Sequence, residues 1–226
     1  MKDQQPHHLM VLMPSWVGDI VMATPSLGWM RDRMKDARIT AVTRPGMSPL
    51  LAGLEAIDDC LEVDPRGVAR LLKAGRSLSR LQPDHTLILP NSMRSALLAF
   101  LSRSRERSGF RRQGRGFLLT RPISPISPEA GIRTTLDDYI QLAEGCLDET
   151  FNGSRTPHLN VTGEERLAAE AIMPLEDGDF VVMVPGANRT DKRWPSDRFA
   201  RVAEHLNHEH GLRIALTGSP AESTLV

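Results

Sequence analysis

The chain has only two cysteines, Cys60 and Cys146, which supply neither a disulfide framework nor a metal-ligand spacing. Both read as small buried hydrophobes. No apolar run approaches the ~20 residues that a membrane span needs. The N-terminus does not read as a signal peptide either. Residues 1–8 are polar, and the apolar run 9–13 is shorter than the ~7–15 residues of a signal core. These absences lead to the expectation of a cytoplasmic protein. What is present suffices for folding: 226 residues with 40% hydrophobic content can bury a sizeable core in one or two domains.

Charge of one sign is missing overall, because the net charge is zero, but the balance is uneven along the chain. Residues 1–128 carry nineteen Lys and Arg against eleven Asp and Glu, and residues 129–226 carry nine against seventeen. A basic N-terminal half suits a large anionic partner, such as a membrane surface or a phosphorylated polymer. Two lobes that attract each other would give the same split. Five cations (Arg66, Arg70, Lys73, Arg76 and Arg80) recur at helical spacing. That spacing places them along one face, opposite Val68, Leu71, Leu72 and Leu78. Seven arginines follow (Arg103, Arg105, Arg107, Arg111, Arg112, Arg115 and Arg121), against the single Glu106.

Short apolar runs alternate with helical patterns. Strands are expected at 9–13, 39–43, more weakly at 60–63, and at 86–89. Helices are expected through Ala23, Leu27, Met30 and Met34, with Thr24-Pro25 as a start or kink. Further helices are expected over 68–81, where Gly67 and Gly75 argue against regularity, and over 92–102. The Pro- and Ser-rich 121–128 reads as a loop, followed by helices at 134–146 and 163–172. A new unit opens with a strand at 180–184, a helix at 196–210 and a strand at 213–217. The alternation points to an α/β fold with a mostly parallel sheet. The boundary is expected at 174–179, giving domains 1–175 and 176–226. Two strands do not make a covered sheet, so the second domain reads as truncated or as extra strands on the first.

In open α/β sheets, ligands bind beyond the carboxyl ends of strands. The turn Pro14-Ser-Trp-Val-Gly-Asp19 stands at such a place and lacks the Gly-x-Gly-x-x-Gly of dinucleotide enzymes. Gly18 lets a backbone approach a ligand. Asp19 at a helix start either caps the helix or serves as a base towards a hydroxyl. After the strand 180–184, Thr190 with Arg189, Lys192 and Arg193 suits a diphosphate. A similar strand end at Leu216-Thr-Gly-Ser-Pro-Ala-Glu222 would share one crevice with it.

The motif Pro14-Ser-Trp-Val-Gly-Asp-Ile-Val-Met-Ala23 resembles the opening motif of the ADP-heptose:lipopolysaccharide heptosyltransferases (glycosyltransferase family 9), closest to the heptosyltransferase II type. Leu89-Pro-Asn-Ser-Met-Arg-Ser-Ala-Leu97, Gly109-Phe-Arg-Arg112, Lys192-Arg-Trp-Pro195 and Gly218-Ser219 with Glu222 resemble later motifs of that family in the same order. The resemblance implies two facing Rossmann-like domains (GT-B type), with acceptor on the first and ADP-heptose on the second. It implies an inverting transfer of heptose to the inner core of lipopolysaccharide. No cofactor, no metal-binding residue and no nucleic-acid partner is expected. By motif position, Asp19 is similar to the catalytic base. Thr190, Lys192, Gly218, Ser219 and Glu222 fall to the donor. Gly18, Asn91, Ser92, Arg111 and Arg112 fall to the acceptor. An enzyme of this type is expected at the inner face of the inner membrane, touching its anionic surface. The family's Asp-Thr-Gly motif does not appear before Val226, so an inactive remnant that only binds acceptor, nucleotide or membrane is the alternative expectation.

Some signals are set aside. His205, His208 and His210 lie near a helix end, where solvated histidines are commoner than a metal site. Asp177-Gly-Asp179 precedes a strand at its amino end and reads as a joining turn. Trp16 and Trp194 suit stacking or packing equally.

Overall fold

A computed structural model describes residues 6–126, 133–174, 178–187, 189–219 and 222. The chain divides into two compact units, Met1–Thr162 and Gly163–Val226. The division thus falls earlier than the acidic turn at 176–179, and the helix at 163–172 belongs with the second unit.

The first unit is built on six strands. They are β1 (His8–Leu12), β2 (Arg38–Thr43), β3 (Asp59–Glu62), β4 (His85–Ile88), β5 (Glu106–Phe110) and β6 (Arg121–Ile123). Their order is β3-β2-β1-β4-β5-β6, and every neighbouring pair is parallel. The order reverses between β1 and β4, as in Rossmann-like sheets. Helices α1 (Val17–Arg33), α2 (Val68–Ser79), α3 (Met93–Leu101) and α4 (Thr135–Leu147) cover the faces. Because strand side chains alternate, Leu9, Val11 and Met13 pack with α1 and α4. Met10 and Leu12 point the other way, to α2 and α3.

Strands β5 and β6 escape the apolar-run criterion, and the loop expected at 121–128 begins with β6. The buried positions of β5 include Ser108, whose hydroxyl lies 2.7 Å from His85 Nε2. Polar partners satisfied inside the fold leave no hydrophobic run to read. Strand β6 is an edge, where Pro122 needs no partner for a missing N–H. Ser127 and Pro128, the end of that expected loop, lie outside the described residues.

Helix α1 runs unbroken through Pro25. The proline has no N–H to give Val21, and the Thr24 hydroxyl donates to that carbonyl instead, at 2.8 Å. Helix α2 is regular too. Gly67 precedes it at φ 83°, and a Cβ on Gly75 would lie 2.4 Å from Leu101 Cβ, so the glycine lets α2 and α3 approach. Leu71, Ala74 and Leu78 face inward. Val68 and Leu72 do not, being 76% and 49% exposed. The expected separation of apolar and basic faces is corrected accordingly.

Several of the clustered cations are engaged within the fold. Arg66 and Arg70 both bind Asp64, each at 2.7 Å. Arg107 donates to the Leu118 and Ser104 carbonyls, and Arg121 to Glu106 and the Cys146 carbonyl. Arg115 is fully buried.

The second unit holds α5 (Gly163–Ile172), β7 (Phe180–Met183), α6 (Ser196–His210) and β8 (Arg213–Leu216). Strands β7 and β8 pair in parallel. Helix α6 ends at Gly211, whose φ of 63° closes the helix in the left-handed region. No residue of α5 or α6 is buried.

Candidate functional site

In the first unit, the loops after β1 to β4 gather at the carboxyl edge of the sheet. A cleft of about 360 Å³ opens there, lined among others by Ser15, Arg44, Asp64, Arg66, Ser92 and Arg94. Asp64 is held well below the usual carboxylate range, first by the Arg66 side-chain hydrogen bond and then by the Arg66 backbone N–H and the charges of Arg66 and Arg70. The wall is therefore predominantly cationic.

Asp19 sits in the first turn of α1 and is half-buried. Trp16, at the N-cap position, makes no side-chain cap bond. The Asp19 carboxylate has no hydrogen-bond or ion-pair partner among the described residues, so it does not cap the helix by a hydrogen bond. Its charge is felt by Tyr139 of α4, whose phenol is pushed up by burial and, secondarily, by the charges of Asp19 and Asp138. Gly18 is exposed, with open space where a Cβ would be. Neither Gly18 nor Asp19 lines the 360 Å³ cleft, although Ser15 of the same turn does.

Ser92 caps α3, its hydroxyl accepting from Ser95 N at 3.1 Å. Asn91 turns its side-chain oxygen to Arg115 at 3.0 Å. Arg111 is exposed, and Arg112 lies over the Phe110 ring and 3.7 Å from Asp138. Sequence reading passed over Arg44, Arg94 and the Asp64 cluster as lining residues. Arg44 and Arg94 each lie just beyond a strand or at a helix start, which was the available signal.

In the second unit, the segments after β7 and β8 meet, as expected of neighbouring strand ends. A Cβ on Gly186 would meet the Glu222 carboxyl, so that carboxylate sits directly against this glycine. Ser219 donates to Glu222 Oε2 through its N–H at 2.9 Å and its hydroxyl at 2.7 Å. Those two bonds, the hydroxyl first, hold the Glu222 carboxyl below its ordinary range, and Arg193 adds to the effect. Gly218 is exposed beside it. Thr190 and Lys192 form part of a short 3-10 turn and are exposed, their side chains without hydrogen-bond or ion-pair partners among the described residues. Arg189 instead binds Asp191 at 2.6 Å. Trp194 meets Phe199 edge-on at 5.1 Å, which is packing, whereas Trp16 is 57% exposed. His205 and His210 contact each other edge-on at 5.7 Å. Asp177 and Asn188 lie outside the described residues.

A doubly wound parallel α/β unit with an uncommitted carboxylate at its central turn, joined in one chain to a β-α-β unit carrying a Gly–Glu corner, defines an α/β protein with ligand sites at its strand ends. Residues 71–225 match the model of glycosyltransferase family 9 (heptosyltransferase), and the chain belongs to that family. It is similar to the lipooligosaccharide heptosyltransferase 2 of Haemophilus ducreyi, 26% identical over 96% of this chain and 65% of that protein. It is likewise similar to the lipopolysaccharide heptosyltransferase 2 of Salmonella typhimurium, 27% identical over 93% of this chain and 63% of that protein. The Escherichia coli ADP-heptose lps heptosyltransferase II structure superposes with a TM-score of 0.83 at 26% identity, covering 96% of this chain and 66% of that one. The chain thus spans less than two thirds of the length of these curated relatives. Among the described residues, no helix is long and apolar enough to cross a membrane.

Proposed function

We propose that the chain carries the acceptor side and part of the donor side of an inverting heptosyltransferase of the GT-B type. Heptose passes from ADP-heptose to the inner core of lipopolysaccharide. The first unit takes the acceptor, through Gly18, Asn91, Ser92, Arg111 and Arg112. The second takes the nucleotide sugar, through Thr190, Lys192, Gly218, Ser219 and Glu222. The protein works in the cytoplasm at the inner face of the inner membrane and touches its anionic surface.

The observation that carries the reading is the uncommitted Asp19 carboxylate at the carboxyl end of the central strand. In the reaction, an acceptor hydroxyl oxygen attacks the anomeric carbon and Asp19 takes its proton. The new C–O bond forms on the face opposite the breaking bond to phosphate, which inverts the centre. ADP leaves with the bonding pair, and Lys192 offsets its charge. The motif resemblance and family membership support this assignment of roles.

Asp19→Asn tests it in the full-length protein, with ADP-heptose and a heptose-deficient lipopolysaccharide. Turnover is expected to fall by ~10²–10⁴, the usual size for loss of a general base, with donor affinity little changed. Near-normal turnover would remove Asp19 from the mechanism.

A further inference from the structure

Arg115 is the bulkiest fully buried side chain among the described residues, and no carboxylate there pairs with it. It opens the short 3-10 turn Arg115–Leu118 after β5. Carbonyl groups and a hydroxyl satisfy it instead. Nε donates to the Phe110 carbonyl at 3.0 Å. Nη1 donates to the carbonyls of Pro90 at 2.5 Å and Ser92 at 3.2 Å, and to Ser95 Oγ at 3.3 Å. Nη2 donates to Asn91 Oδ1 at 3.0 Å. The Ser95 hydroxyl has both the Ser92 carbonyl (2.8 Å) and the Pro90 carbonyl (3.0 Å) in reach of its one proton. The Pro90 and Ser92 carbonyls and Asn91 Oδ1 are therefore engaged on the inner side of the segment.

A guanidinium has donors only, so Asn91 must turn its oxygen inward and its NH₂ outward. What the segment offers a ligand is N–H groups and Arg94, above a positive charge that nothing cancels. Burial, and then the charge of Arg112, pull the Arg115 pKa down to about 10, which still leaves it cationic at neutral pH. The adjoining cleft adds Arg44 and Arg66, while its carboxylate, Asp64, is already bound by Arg66 and Arg70.

We propose that Arg115 is a positioning residue which fixes the 90–95 segment from within, with the Asn91 oxygen turned inward, and sets a positive charge behind it, so that the cleft receives an oxyanion of the ligand, phosphate or carboxylate. The inference rests on reading the first unit as the acceptor side. It goes further in assigning the cleft's anion preference to a buried residue that never touches the ligand. Removing the guanidinium would take that charge away and release Asn91 Oδ1 to turn outward, while the Phe110 and Ser92 carbonyls keep the N–H groups of Arg112 and Ala96 and the Ser95 hydroxyl stays beside the Pro90 carbonyl.

The test is titration of the full chain with inorganic phosphate and, separately, acetate, followed by ¹H–¹⁵N NMR of backbone amides and Asn side chains. Wild type should show saturable shifts at the Asn91 NH₂ and at the Ser92 and Arg94 amides. Arg115→Met should weaken the response at least tenfold. Because that variant loses packing bonds too, Asn91→Asp is the second arm. It leaves Arg115 in place but hands it a counter-ion, so anion binding should fall at least tenfold while the thermal midpoint holds or rises. Response to phosphate alone, or to acetate alone, identifies which oxyanion the cleft takes. Wild-type resonances unmoved by both anions would overturn the proposal, as would Asn91→Asp binding like wild type or melting earlier. Heptose transfer that fails while these shifts follow the expected pattern would sink the transferase reading and leave this inference standing.

Discussion

Lys192 extends from the short turn after β7 with no partner among the described residues, so removing its ammonium takes no hydrogen bond or ion pair from the fold. If the charge faces the leaving diphosphate, Lys192→Ala weakens nucleotide binding and slows transfer together. A lost charge-assisted contact is worth about 1.5–3 kcal/mol, roughly ten- to a hundredfold. Nucleotide titration of the full-length protein reads it, and unchanged affinity with unchanged rate would return Lys192 to the solvated loop. At this scale, the sequence made legible those residues that lie together in one motif. Gly218, Ser219 and Glu222 are neighbours in the chain and neighbours in space. The cleft wall was not legible. Arg44, Asp64 and Arg94 come from three different strand ends, and only the sheet order brings them together. Arg115 looked like one more surface cation because arginine is so rarely buried.

Among the helices, the close contact of α2 with α3 depends on the missing side chain at Gly75. Alanine there would gain about 1 kcal/mol in helix propensity. It would also drive a methyl against Leu101 Cβ, a stem atom that cannot rotate away, and overpacking of this kind costs about 1–3 kcal/mol. The clash is expected to win. Gly75→Ala should lower the midpoint of chemical denaturation, and a midpoint at or above wild type would mean that the helices separate freely. The same glycine shows why propensity misled the reading of α2: local conformational cost was exchanged for a tertiary approach. Periodicity found every helix with a one-sided apolar face, and it found the strands whose interiors are apolar. It missed β5, which buries Ser108 and Gly109 with only Phe110 beside them, because buried polar partners leave no hydrophobic run to read.

For the whole molecule, acid should loosen the fold through His85. Burial, and secondarily the charge of Arg121, hold this imidazole down to about 4. Glu106 lies 3.4 Å from its Nδ1, but Arg121 stands 3.3 Å from the same carboxylate oxygen and offsets its pull. An unfolded His takes up its proton near pH 6.5. Between that value and about 4 the unfolded chain binds more protons than the folded one, so stability falls on acidification across that window. Thermal midpoints from pH 7 to 4 should drop, and His85→Gln should flatten the slope; an equal slope in both proteins would exclude His85 as its source. The proposed contact with a membrane is also a matter of the whole surface. Val68, Leu72 and Phe100 are exposed in the same unit as Lys73, Arg76, Arg80 and Arg103, a mixture suited to an anionic bilayer. Each such cation contributes about 1 kcal/mol near that surface. Binding to phosphatidylglycerol vesicles should weaken steeply with salt and fall when Lys73, Arg76 and Arg80 become Gln. Retention on neutral vesicles at high salt would contradict it.

The parallel sheet also governs the time the chain needs to fold. No strand pair in the six-stranded sheet forms from a hairpin, because all five pairings are parallel. Even β5 and β6 pair residues as far apart as Ser108 and Arg121, and β1 must wait for His85 to Ile88. Such non-local order slows folding and prolongs the life of collapsed intermediates. During synthesis the fully buried β1 therefore emerges before the other strands of its sheet and acquires its second neighbour late. Until then its unpaired edge and apolar side chains are open to aggregation, which makes the early life of this polypeptide a natural point for chaperones to act.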